Sequence, residues 1–136
     1  MDLKGSIVFN ISNEKLDFVE IENNLHIKPT RIMEKDQFIN DYKECKVSSD
    51  RWSYKIKIED SVDLCNDLLK FLEIFSPHLN YIKKLSLENE NVSIDFYISS
   101  LYGQMGFTLN KKIIKKLLVF ELPLNFHILS FGDVKE

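Results

Sequence analysis

The sequence predicts an α+β fold, a two-layer sandwich with helices packed on one face of a mixed or mainly antiparallel sheet of about four to five strands. Segments in which apolar and polar residues alternate indicate strands, and segments with apolar residues at helical spacing lie between them. Asp, Asn and Pro residues mark the segment ends. With 136 residues, 44% of them hydrophobic and 12% aromatic, the chain is expected to form a single domain over residues 1–136.

The first strand and helix are determined locally. Residues 7–11 place three apolar side chains on one face at a period of two. Asp17 is a good N-cap for the helix that follows, and Glu20 lies at the capping-box position. Pro29 lacks an N–H group and disfavours helix at the residue before it, so the helix is expected to end there.

The next part of the chain has a weaker pattern. Residues 31–35 are predicted to form a short edge strand, and residues 43–50 a mobile loop. A strand over residues 51–59 follows, in which Trp52 begins the apolar face and Arg51 the polar one.

The longest helix is expected to begin with Ser61 as its N-cap. Ser76 and Pro77 resemble an N-cap and a first-turn proline, which predicts a second helix after a bend. The cleanest alternation in the chain then predicts a strand over residues 92–99.

Asn110 is the predicted cap of the last helix, before a final strand over residues 124–128. Its predicted inner residues are Ile113, Ile114, Leu117 and Leu118. The spacing of Leu109-Asn110, Ile114 and Leu118 repeats that of Leu16-Asp17, Ile21 and Leu25. Two similar βαβ halves and a chance match of amphipathic helices both explain this repeat.

Charge and cysteine content restrict the classes of function. The net charge is −3 and Arg31 and Arg51 are the only arginines, which argues against a nucleic-acid partner. No secretory signal and no apolar run long enough for a membrane span is visible. Cys45 and Cys65 form no paired motif, so free thiols in the cytoplasm are expected.

No catalytic or metal-binding constellation is recognisable. His26, His78 and His127 lack the spacings of metal ligands, so no metal and no cofactor is predicted. Cys65 lies on an apolar helix stripe, and nothing marks Cys45 as an activated nucleophile. The sequence therefore leans against an enzyme.

Several short motifs extend over nearly the whole chain: the strand at residues 7–11, Leu16-Asp17, Leu25-x-Ile27-x-Pro29-Thr30-Arg31, Trp52-Ser53 and Gly106-Phe107-Thr108-Leu109. In these motifs the chain resembles the bacterial domain-of-unknown-function family 4279. It departs from the family at Ser12-Asn13, where members often carry a glycine, and at Lys35-Asp36, where they often carry Gly-Asp. The resemblance implies a bacterial protein and brings no activity with it.

Two surfaces are predicted to bind. The first is the loop over residues 99–107, where Leu101, Tyr102 and Met105 lie among small residues, a composition typical of protein interfaces. The second is a groove formed by Arg31, Arg51 and Trp52, suited to an anion or a peptide if the segment after Pro29 pairs with the strand of Trp52. Burial of Trp52 in the core is the competing interpretation.

The predicted function is that of a non-catalytic protein-binding domain in the bacterial cytoplasm, an immunity-like or antitoxin-like protein whose partner is another protein. The alternative is a small-ligand or anion sensor, or an uncharacterised enzyme, that uses a groove near Arg31 and Trp52. The oligomeric state stays open, because a long exposed edge strand can pair with a second copy.

Overall fold

The computed structural model describes residues 3–36, 47–58, 63–102 and 106–133. Five strands and four α-helices alternate along these residues. In chain order they are β1 (Lys4–Asn13), α1 (Phe18–Leu25), β2 (Arg31–Met33), β3 (Asp50–Lys57), α2 (Leu64–Phe75), a 3₁₀ turn (Ser76–His78), α3 (Leu79–Glu88), β4 (Asn91–Tyr102), α4 (Lys111–Phe120) and β5 (Leu124–Asp133).

The strands form one open mixed sheet in the order β2-β3-β1-β4-β5. The β2–β3, β3–β1 and β1–β4 pairs are antiparallel, and β4 and β5 pair in parallel through the α4 crossover. The predicted α+β class and the mainly antiparallel sheet are thereby confirmed. Strands β2 and β5 are the edges of the sheet.

The core lies between one face of the sheet and the helices. Phe9 in β1 is 1% exposed, and its ring stacks on Phe75 of α2 with centroids 4.5 Å apart. Trp52 in β3 and Phe96 in β4 are fully buried on the same face of the sheet. Burial of each such side chain stabilises the fold by roughly 1.5–3 kcal/mol. The opposite face of the sheet carries the exposed lysines Lys4, Lys55 and Lys57.

Two predicted helix caps are confirmed. The Asp17 carboxylate accepts a hydrogen bond from the Glu20 amide at 3.1 Å, and the Asn110 side chain accepts one from the Ile113 amide at 3.0 Å. Each of these side chains accepts a hydrogen bond from an N–H group of the first helical turn that has no carbonyl partner within the helix.

Two other predicted caps are wrong. The N-cap of α2 is Asp63, whose carboxylate accepts a hydrogen bond from the Cys65 amide at 2.9 Å; Ser61 lies outside the described residues. The Ser76 hydroxyl donates to the Leu72 carbonyl at 2.8 Å and so closes the preceding helix, and α3 begins without a side-chain cap. The chain continues from α2 to α3 through the 3₁₀ turn without the extended backbone that an N-cap requires.

Helix α4 is rotated relative to the sequence prediction. Its buried residues are Ile113, Leu117 and Phe120, whereas Ile114 is 52% and Leu118 72% exposed. Phe120 lies on the inner side of the helix, one turn after Leu117, so the side that carries Ile114 and Leu118 faces outward.

The two proposed βαβ halves share their helix caps but not their burial or topology. The first-half counterparts of Ile114 and Leu118, Ile21 and Leu25, are buried. Strand β3 separates β1 from β2, whereas β4 and β5 are direct neighbours.

The predicted loop over residues 43–50 lies largely outside the described residues. Its described end leads into β3, with Val47 buried. None of the helices in the described part of the chain is both long and apolar enough to cross a membrane.

Candidate functional site

A chain of polar side chains crosses the open face of the sheet. The Ser53 hydroxyl of β3 donates to the Asn10 side-chain carbonyl of β1 at 2.6 Å. The Asn10 amide donates to the Asp95 carboxylate of β4, and the Asn125 amide of β5 donates to the same carboxylate at 2.7 Å. Ser93 adds a third donor to Asp95 at 3.1 Å. Side-chain hydrogen bonds thus connect four adjacent strands.

Asp95 is only 8% exposed, although its side chain lies on the face opposite the core. Both of its oxygens accept hydrogen bonds, so its carboxylate is held as an acceptor at the centre of this network. Such an arrangement fixes the positions of neighbouring strands; it does not present a free base to a substrate.

Next to this network lies a groove of about 350 Å³. We call it the cationic groove. Its lining consists of Val8, Asn10, Thr30, Arg31, Met33, Arg51, Ser53, Lys55 and Tyr97.

The strand register explains how three positive charges meet here. Arg31 of β2 lies opposite Ser53 of β3, and Arg51 and Lys55 lie two residues to either side of Ser53. Diagonal neighbours of this kind are about 7–8 Å apart, within reach of long side chains. The side chains of these three cations make no hydrogen bond or ion pair with any residue that the structure describes.

The far wall of the cationic groove is aromatic. Tyr97 of β4 stacks on His127 of β5 with ring centroids 4.6 Å apart and an interplanar angle of 8°. Tyr97 remains 42% exposed, so the ring is supported on one side by the imidazole and is accessible to a ligand.

The predicted groove of Arg31, Arg51 and Trp52 needs one correction. The structure brings the two arginines together, but Trp52 points to the opposite face, is fully buried and packs edge-on against Phe9 with centroids 6.2 Å apart. Adjacent residues of a strand project to opposite faces, so Arg51 and Trp52 cannot line one groove.

Of the groove residues that the sequence prediction lacks, Lys55 and Tyr97 matter most for binding. Lys55 shares the period-two face of Arg51 and could have been included on that ground. Tyr97 joins the groove only through the β3–β1–β4 pairing, which no local pattern reveals.

The predicted partner-binding loop over residues 99–107 begins later than expected, because β4 extends to Tyr102, and residues 103–105 lie outside the described part of the chain. Leu101, near the end of β4, is 56% exposed. The side chain of Tyr102 and the whole of Met105 lie outside the described part of the chain.

Exposed apolar side chains are concentrated after residue 96. Among the described residues, only Val19, Ile32 and Leu87 of the exposed large hydrophobics lie before it. The later ones belong to the end of the sheet that contains β5 and to helix α4: Tyr97, Leu101, Ile114, Leu118, Val119, Phe126, Ile128 and Leu129.

The histidines and the described cysteine show no sign of a reactive centre. The rings of His26 and His78 lie 5.7 Å apart, yet the described residues contain no group of three or more side chains that could hold a metal ion. The Cys65 thiol is buried and donates to the Thr108 carbonyl at 3.1 Å. As predicted from its helix stripe, Cys65 belongs to the core.

A comparison with protein families supports the resemblance of the short motifs. The family model described as "Domain of unknown function (DUF4279)" matches residues 3–131. No curated relative and no solved structure matches the chain. Because the family match covers nearly the whole chain, the protein belongs to the DUF4279 family.

Proposed function

We propose that the protein is a non-catalytic protein-binding domain, an immunity-like or antitoxin-like protein of the bacterial cytoplasm. Its partner docks on what we call the C-terminal surface, formed by the outer side of α4 and the core-facing side of strand β5. The observation that supports this proposal is the concentration of exposed apolar side chains on these elements. Clustered exposed apolar residues indicate an interaction site, whereas single ones need no explanation.

The outer side of α4 has a distinctive composition. Leu118, 72% exposed, lies near the exposed Lys111 and Lys115 on the helix surface. No acidic residue occurs within Lys111–Phe120. An apolar centre beside positive charges complements a partner whose apolar patch has an acidic rim.

Strand β5 offers a second element for docking. It lies at the edge of the sheet, and Phe126 and Ile128 on its core-facing side are 40% and 55% exposed. An edge strand presents unpaired backbone groups that can accept a strand of a partner. A second copy of the chain fits less well, because docking of α4 on α4 would bring its lysines together.

The test compares variants of the C-terminal surface with a matched control. Wild-type protein should capture a partner from its native organism, and Leu118→Glu or Ile128→Glu should abolish that capture. Val19→Glu is the control, since Val19 is 67% exposed on α1, away from this surface. The captured protein is then purified and its binding measured by calorimetry, with all variants checked for an unchanged urea midpoint.

Two results would overturn the proposal. One is loss of capture by Val19→Glu to the same extent as by the surface variants. The other is a dimer in light scattering that Ile128→Glu converts to a monomer, because the surface would then be a contact between copies.

A further inference from the structure

We propose that the cationic groove is a binding site for a small phosphate monoester, separate from the C-terminal surface. Arg31, Arg51 and Lys55 hold the phosphate, and Tyr97 contacts the remainder of the ligand.

The positive charge of the cationic groove is concentrated and has no counter-charge among the described residues. The chain as a whole carries a net charge of −3, yet three cations surround Ser53 on one face of the sheet. None of the three has an anionic partner among the described residues. They repel one another in the free protein, and a bound anion removes that repulsion.

The donors favour phosphate over carboxylate. A carboxylate offers two oxygens and a single negative charge, whereas a phosphate monoester offers three terminal oxygens and nearly two negative charges, which suits two guanidinium groups and an ammonium group together. The Ser53 hydroxyl already donates its proton to the Asn10 side-chain carbonyl. The Thr30 hydroxyl accepts from the Lys55 amide and donates to the Lys55 carbonyl. Recognition in the groove therefore depends on the three cations.

The nearby Asp95 carboxylate does not oppose this assignment. It does not line the groove, and the donors Asn10, Ser93 and Asn125 surround its oxygens. Neutral donors thus occupy this carboxylate, and it forms no ion pair with the groove cations.

The dimensions favour a small molecule over an acidic peptide. A volume of about 350 Å³ is at the lower end of the range of small-molecule sites. Arg31 lies diagonally opposite both Arg51 and Lys55, so the three long side chains can converge on one anion between them. The supported ring of Tyr97 gives a planar part of the ligand a wall for stacking.

The experiment measures binding to the full chain by calorimetry at constant ionic strength, with phenyl phosphate as the probe. Phenyl phosphate should bind with a dissociation constant of about 10 mM or below, and inorganic phosphate should have a higher dissociation constant. Arg31→Gln or Arg51→Gln should weaken phenyl phosphate about tenfold or more, because each removes a charge-assisted donor. Tyr97→Ala should remove the preference for phenyl phosphate over inorganic phosphate.

Lys57→Gln is the matched control. Lys57 is exposed on the same strand and face, two residues beyond Lys55, but does not line the groove. The control removes the same charge and should leave binding within about twofold of wild type. Leu118→Glu should also leave it unchanged, which separates this site from the proposed protein-binding surface.

Several outcomes would overturn the proposal. They are no heat of binding with phenyl phosphate at about 10 mM, an equal loss of affinity in Lys57→Gln and Arg31→Gln, and tighter binding of citrate or a hexaglutamate peptide than of phenyl phosphate. The arginine variants change exposed side chains, and an unchanged urea midpoint establishes that they are folded.

Discussion

Replacement of Asp95 tests whether the hydrogen-bond network stabilises the open face of the sheet. Asp95→Ala removes the acceptor of Asn10, Ser93 and Asn125. Asn10 and Ser93 are 8% and 0% exposed, so water cannot readily replace the lost bond. Asn125 is exposed and can donate to water instead. Two buried donors therefore lose their partner.

The magnitude follows from these two donors. A buried donor without a partner costs about 1–3 kcal/mol. Removal of a buried carboxylate also relieves its desolvation, which offsets part of that loss. We expect Asp95→Ala to lower the free energy of unfolding by about 2–4 kcal/mol.

Asp95→Asn provides a sharper test, because the network can reverse. The new amide nitrogen would meet the Asn10 nitrogen, but a flip of the Asn10 amide turns its oxygen toward residue 95 and its nitrogen toward the Ser53 hydroxyl. That hydroxyl can accept a hydrogen bond as well as donate one. Asp95→Asn should therefore cost less than half as much as Asp95→Ala.

The assay is urea unfolding at pH 7, followed by circular dichroism. Ser6→Ala is the control, because Ser6 lies on the same face of β1 and makes no side-chain hydrogen bond within the described residues. It should change the free energy of unfolding by less than about 0.5 kcal/mol. The reasoning is refuted if Asp95→Ala is as mild as Ser6→Ala, or if Asp95→Asn is as damaging as Asp95→Ala.

Three further predictions concern single positions. Gly5→Ala should lower the free energy of unfolding by at least about 2 kcal/mol, because φ at Gly5 is +143° and an added Cβ would lie 1.6 Å from the Tyr97 carbonyl oxygen; an unchanged urea midpoint would contradict this. Trp52→Ala should lower the free energy of unfolding by about 3–5 kcal/mol. Trp52→Phe should lower it by less than half of that, because Phe keeps most of the packing and removes an indole N–H that has no partner among the described residues. Equal losses in the two variants would contradict this expectation. Lys35 donates a hydrogen bond to Glu14 at 2.9 Å and lowers the pKa of that carboxyl, so Lys35→Ala should raise the pKa of Glu14 in an NMR titration, and an unchanged value would mean that the pair does not form in solution. Since the folded-state pKa of Glu14 is depressed, the contribution of this pair to stability is present above the unfolded-state pKa and lost as the pH falls through the folded-state value.

Local rules were sufficient for much of the fold. Asp17 and Asn110 cap their helices because a short side-chain acceptor before an apolar helical run has one favourable role. The alternation in β4 correctly separated the core side of the sheet from the open side. The α+β class followed from the order of such elements.

The burial of helix α4 could not be obtained in this way. Its apolar residues cover too wide an arc for periodicity to choose between Ile114 and Phe120 as the inner side chain. The choice depends on packing against α2 and α3, which are distant in sequence. Because the sequence pattern predicts Ile114 and Leu118 to be buried, it gives no indication of the exposed apolar side of α4.

The sequence prediction of the groove is right for the two arginines, wrong for Trp52 and incomplete for Tyr97. Arg51 and Trp52 are consecutive residues of one strand and therefore face opposite sides of the sheet, so strand alternation alone argues against their lining one groove. The meeting of Arg31 with Arg51 was foreseen on the condition of strand pairing, which the β2–β3 register satisfies. Tyr97 depends on the pairing of β1 with two strands far away in sequence, and no local signal specifies that pairing.

The two proposed binding surfaces meet at β5 but remain separable, because the side chains of a strand alternate between its faces. Phe126 and Ile128 point to the core side, whereas His127 lies opposite Tyr97 on the open face and stacks on it. Ile128→Glu can thus disturb a docked partner without removing the ring that supports Tyr97. If Ile128→Glu weakened phenyl phosphate binding as strongly as it weakened partner capture, the two sites would be energetically coupled through this strand, and a bound partner would by linkage change phosphate affinity by the same factor as phosphate changes partner affinity.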